Sequence, residues 1–94
     1  MTIKEIRAIT SKVAKKRNVK RVSLFGSYLS EPKVANDIDL LVDFGQRPVS
    51  LFTVSGFKAD MEYHIGKKVD VIPLPLPPKS FLEINKEVLL YVSG

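Results

Sequence analysis

Cysteine is absent from this 94-residue chain, and histidine occurs once. Without cysteine there is no disulfide framework and no thiolate zinc site. A single histidine rules out a His-rich metal centre. No apolar run approaches the roughly 18 residues of a membrane span. The opening stretch, MTIKEIRAIT, lacks the long apolar core of a secretory signal. A soluble, cytoplasmic protein with no membrane partner is the expectation. Internal repeats and low-complexity tracts are also missing. Ninety-four residues make one domain, 1–94, with little room for a second domain or a deep private pocket. A large substrate would be met by the surface or by a partner.

What the chain does have is positive charge, unevenly placed. The net charge is +5, yet residues 1–36 hold nine Lys/Arg against two Glu, and residues 37–94 carry a net −2. A basic front half suits a polyanion, such as nucleotide phosphates, RNA or an acidic protein surface. Solvated lysines on a helix face explain many of these charges equally well. No helix-turn-helix signature supports specific DNA binding.

Hydrophobic spacing predicts the elements. Ile3, Ile6, Ile9 or Thr10, and Val13 recur at helical intervals, and Thr2 with Glu5 makes a capping-box pattern. VKRVSLFGS reads as a strand ending at Gly26-Ser27. YLSEPKVAN, with Pro32 and Asn36, reads as a turn with at most a short helix. DIDLLVDF is a second strand. Ser50 caps a helix in which Leu51, Val54, Phe57 or Lys58, Met61 and Ile65 keep helical spacing, and Gly66 ends it. Gly56 weakens that helix. KKVDVIP is a third strand, LPLPP a stiff connector and KSFLEINKE a short helix. VLLYV is a last strand or an apolar tail. The sum is a small α/β (α+β) domain, a mixed sheet flanked by helices.

The unusual feature is in DIDLLVDF, where two aspartates interrupt an apolar strand. Residues i and i+2 of a strand share a face, so Asp37 and Asp39 lie side by side with Cα atoms roughly 6.5 Å apart. Ile38, Leu40 and Val42 then point the other way, into a core. Asp43 shares the aspartate face but is about 13 Å beyond Asp39 and falls outside the pair. Two carboxylates that close repel unless something neutralises them. A divalent metal is the natural answer, because Mg²⁺ takes one or two carboxylates plus phosphates and water. Two ions roughly 3.5–4 Å apart can clamp a phosphoryl transfer. Asp70, polar between Val69 and Val71 in the third strand, offers a third carboxylate. Alternatively, such aspartates merely cap a strand or face solvent.

Gly26-Ser27 precedes Asp37 by a nine-residue spacer, Tyr28 to Asn36. Glycine admits close backbone approach to a phosphate, and backbone N–H groups with the Ser27 hydroxyl can hold its oxygens. Triphosphate loop and metal ligands would converge. Of the remaining residues, His64 reads as a helix-surface histidine, Tyr28 as a packing residue, and Lys67 and Lys68 as solvated. Phe52, Phe57 and VLLYV read first as core and second as a partner interface.

With LFGS (24–27), NDIDLLVDF (36–44), GKKVDVI (66–72) and the closing INKEVLLYV, the chain resembles the minimal nucleotidyltransferases of the DNA polymerase β superfamily. It looks like the antitoxin members encoded beside a HEPN-domain ribonuclease toxin. The resemblance covers nearly the whole chain. It implies a polymerase β-like fold, two Mg²⁺ ions, and ATP as donor. It also implies transfer of AMP to a tyrosine hydroxyl of the HEPN partner, which silences the toxin. Carried over position by position, Gly26 and Ser27 would hold the nucleotide. Asp37, Asp39 and Asp70 would be the catalytic, metal-binding residues, and Asp70 would help deprotonate the acceptor.

The chain departs from the family's pattern in its nine-residue spacer and at Ser30-Glu31, where Arg-Gly is usual. That motivates a second reading, an antitoxin that neutralises its HEPN partner by binding, with catalysis weak or lost. A third, a small-molecule acceptor, lacks the extra helical domain that such relatives use.

Overall fold

The computed structural model describes residues 2–26, 37–45, 48–74 and 87–93. Ser27, the 28–36 turn, most of the LPLPP connector and the KSFLEINKE segment up to residue 86 lie outside the described residues. Two helices, α1 (Ile3–Lys16) and α2 (Leu51–Ile65), accompany four strands, β1 (Arg21–Phe25), β2 (Asp37–Asp43), β3 (Lys68–Pro73) and β4 (Glu87–Val92). No described helix is long and apolar enough to cross a membrane.

The helix ends follow from local chemistry. The Thr2 hydroxyl accepts from the Glu5 N–H while the Glu5 carboxylate accepts from the Thr2 N–H, which satisfies two of the donors that a helix start leaves unpaired. That interaction with Thr2 also holds the Glu5 carboxyl below its ordinary pKa. Ser50 caps α2 by accepting from the Phe52 N–H, and Gly66 closes it in the left-handed region at φ +77.

The sheet runs in the order β3-β2-β1-β4. β1 pairs antiparallel with β2 and with β4, whereas β2 and β3 are parallel. A parallel pair needs a crossover, and α2 supplies it. VLLYV is thus a strand, and Glu87, read from the sequence as the end of a helix, opens it. A bulge where β4 passes Val22 leaves Leu90 unpaired between Leu89 and Tyr91.

Both helices pack on one face of the sheet. Ile6, Val13 and Ala14 of α1 and Phe57, Met61 and Ile65 of α2 cluster with Val22, Leu24, Ile38, Leu40, Val42, Val69 and Leu90. Phe57 is fully buried and meets the Phe44 ring edge-to-face, centroids 5.7 Å apart. Burying a side chain of that size is worth about 2–3 kcal/mol. The α2 stripe is shorter than its spacing suggested. Val54 is only half-buried, and Leu51 and Phe52 are 83% and 90% exposed.

Gly56 has a tertiary reason for standing mid-helix. A methyl group there would come within 2.8 Å of the Arg17 guanidinium, which crosses α2 at that point. Arg17 Nε donates to Asp60 Oδ2 at 3.0 Å, Lys16 lies 3.7 Å from the same oxygen, and His64 Nε2 is 3.3 Å from Oδ1. This cluster ties the end of α1 to α2, with the Asp60 side chain only 11% exposed. It also places His64 as a structural partner of Asp60.

The Arg17 hydrogen bond, with the charges of Lys16, Arg17 and His64, holds the Asp60 carboxyl below the usual aspartate range. A lowered carboxylate pKa stabilises the fold above the unfolded-state value, and the benefit is lost as pH falls through the folded value. Asp60→Asn should therefore cost about 1 kcal/mol at neutral pH after allowance for solvent screening. In urea denaturation the gap from wild type should close as the pH falls below the ordinary aspartate pKa.

Candidate active site

The face of the sheet opposite the helices carries the side chains the sequence singled out. Ile38, Leu40 and Val42 are fully buried on the helix side, so Asp37, Asp39, Leu41 and Asp43 alternate onto the other. In the parallel ladder Asp39 is the register partner of Asp70, and Asp37 that of Lys68. Register partners in neighbouring strands project from the same face. On the other side of β2, Asp39 pairs with Phe25 of β1, itself almost fully buried. Asp39 therefore sits between an apolar ring and a second carboxylate.

That setting has an electrostatic consequence. Asp39 is held above the ordinary aspartate pKa, first by partial burial and then by the negative charges of Asp70 and Asp37. The Asp70 side chain beside it adds to the shift. Asp43, excluded from the pair by distance, has a local task. Its Oδ1 accepts from the Gly45 N–H at 2.9 Å, closing the turn after β2.

Gly26 adjoins the same carboxylate. It follows the last residue of β1 in the left-handed region, at φ +84. A methyl group on it would run into Asp39 Oδ2 and lie 3.2 Å from Cγ. Glycine is thus required twice, by the backbone conformation and by the space Asp39 occupies. The sequence suggested close approach to a phosphate; the structure adds close approach to Asp39. Ser27, its neighbour in the motif, lies outside the described residues.

One contributor escaped the sequence reading. The Glu62 carboxylate, on α2, accepts from the Val69 N–H at 2.9 Å. This bond anchors the edge strand β3 one residue before Asp70. Nothing in the spacing of Glu62 and Val69 signals it, because it depends on how the crossover helix returns to the sheet.

The donor set suits a hard divalent cation, being all oxygen. Among the described residues no three Asp, Glu or His side chains close into a complete ligand cluster. Mg²⁺ does not need one, since it keeps waters and takes substrate phosphates beside one or two carboxylates. Asp39 and Asp70 provide the adjacent pair and Asp37 the next oxygen along the strand. A cation between them would remove the repulsion that raises Asp39.

Comparison with known proteins now bears on this geometry. Residues 7–92 match the family described as "Polymerase beta, Nucleotidyltransferase". The chain belongs to that family. The match spans the four-stranded sheet, both aspartate strands and α1 from Arg7 onward. A protein of Methanocaldococcus jannaschii, provisionally named a protein adenylyltransferase, is 42% identical over 73 residues, which are 77% of this chain and 77% of its own. No solved structure gives a significant match. The protein is a minimal nucleotidyltransferase, and its α+β architecture is that of the polymerase β-like fold.

A group whose folded pKa is raised stabilises the folded state only in its protonated form. The cost of ionising Asp39 is absent below its unfolded pKa and grows as pH rises to the folded value. The metal-free Asp39→Asn variant should therefore melt above wild type at neutral pH in EDTA. The two should converge on acidification. A variant that melts well below wild type at neutral pH would contradict this account of the site.

Proposed function

We propose that this nucleotidyltransferase transfers AMP from ATP to a hydroxyl group, tyrosine by preference, on a partner HEPN-domain toxin and thereby acts as its antitoxin. The observation that carries the reading is the placement of Asp39 opposite Asp70, with Asp37 on the same face. The name of the archaeal relative supports a protein acceptor, and the antitoxin role rests on the sequence resemblance.

In this reading Asp37 and Asp39 hold the divalent cations, with Asp70 completing the set. Bound magnesium supplies charge neutralisation for the triphosphate and for the transition state. Gly26 leaves room for Asp39, and Ser27 holds phosphate oxygens. The acceptor oxygen bonds to the α-phosphorus, the bond from that phosphorus to the bridging oxygen breaks, and pyrophosphate leaves with it. The hydroxyl proton passes to the Asp70 carboxylate and on to water. Asp70 stands on an edge strand, where an acceptor from outside can approach. The protein's contribution is mainly position and preorganised charge, as is general for phosphoryl transfer.

The departure at Ser30-Glu31 favours the second reading, neutralisation by binding with little catalysis. Incubation of host lysate with α-labelled ATP separates the two. Wild type should label a protein band, EDTA should abolish the label, and Mg²⁺ should restore it. Asp37→Asn and Asp39→Asn should reduce labelling by roughly a hundredfold or more. Equal labelling by both variants would sink the enzymatic site. No labelling, with the partner still bound and neutralised by every form, would establish the binding antitoxin instead.

A further inference from the structure

We propose that the end of the domain remote from the aspartates is an exosite that binds an acidic, folded surface of the acceptor protein. This rests on the protein-acceptor reading above and adds where that protein is held.

Two open hollows, of about 530 and 500 Å³, meet at Phe44 just beyond β2. One is lined by Phe52 and Phe57 with Lys16 and Arg17, the other by Tyr91 with Lys15 and Lys20. Leu51 and Phe52 stand beside them almost wholly in water, although the same helix buries Phe57, Met61 and Ile65. Nothing in the packing of the described residues requires two adjacent large apolar side chains at that turn.

The rim is basic. Lys16 and Arg17 share Asp60, whereas Lys15 and Lys20 have no ionic partner among the described residues. The nearby Asp43 carboxylate is turned to the Gly45 N–H. Among the described residues Asp60 is the one carboxylate bonded to any of these four cations, so the rim of the two hollows stays net positive. A protein surface with an apolar pocket inside an acidic rim complements this pattern. Interfaces favour such an anchor, desolvated at the centre, with charge around it.

Single-stranded RNA fits less well. It needs successive aromatic platforms for its bases, and Leu51 offers no π-face. Distance also argues for a folded partner. Phe44 lies seven residues along the strand direction from Asp37, about 23 Å at strand rise. The helices that carry this rim pack on the side of the sheet opposite the aspartates, so only a folded acceptor that extends around the domain can touch both, whereas a short peptide at the aspartates cannot touch Phe52.

The test compares the purified labelled acceptor with a short peptide carrying its modified residue. Both are titrated against wild type, Phe52→Ala and the Lys15→Glu/Lys20→Glu pair. The changed side chains are exposed, and thermal melts verify that the variants fold. KM for the folded acceptor should rise about tenfold or more in each variant, with kcat and peptide labelling unchanged. An unchanged KM in an active enzyme would overturn the exosite alone. An equal loss with the peptide would place the defect in the aspartate site and overturn it too. Loss of binding to a fluorescent oligo(U), with KM for the protein unmoved, would reassign the face to RNA. A wild type that labels no protein would sink the parent reading, and the exosite with it.

Discussion

The parallel pairing of β2 with β3 is the constraint on which the rest of the structure depends. It sets Asp39 opposite Asp70. Because side chains alternate along a strand, a slip of one residue would send Asp70 to the helix face and Val69 to the carboxylates. The register is held from the other side of the sheet. Ile38 and Val69 are partners in the same ladder, both fully buried beneath the helices, and either slip would expose them. The α2 crossover adds the Glu62 bond to the Val69 N–H. Chemistry on one face is thus aligned by packing on the other.

The alignment carries an electrostatic cost. Asp39 is pushed toward its protonated form by burial and by its acidic neighbours. The fold offsets this with a continuous core and with the Arg17–Asp60 tie between its helices. A cation-binding site commonly has this character, because carboxylates arranged for an absent charge repel one another until it arrives. Gly26 belongs to the same compromise, its missing side chain giving Asp39 Oδ2 its place.

Much of this was legible in the amino-acid order. The Thr2–Glu5 capping box, the Ser50 cap, the Gly66 stop and the alternation through DIDLLVDF all act within a few residues of one another. So does the i, i+2 relation of Asp37 and Asp39. What escaped reading was longer in range. The Arg17 contact that explains Gly56 spans 39 positions of sequence, and the exposure of Leu51 and Phe52 depends on where α2 starts relative to the sheet. Asp70 was identified by its polarity between two valines, but its partnership with Asp39 needed the register. Ser27 was drawn from the motif and stands outside the described residues.

In the proposed reading Asp37, Asp39 and Asp70 together hold the metal-bound triphosphate. The most direct test is anomalous diffraction from crystals grown with Mn²⁺ and an ATP analogue that resists cleavage at the α-phosphate. The account predicts a manganese peak shared by the Asp37 and Asp39 carboxylates, on the Asp70 side, with the triphosphate beside Gly26. Nucleotide bound elsewhere, or manganese away from all three aspartates, would contradict it.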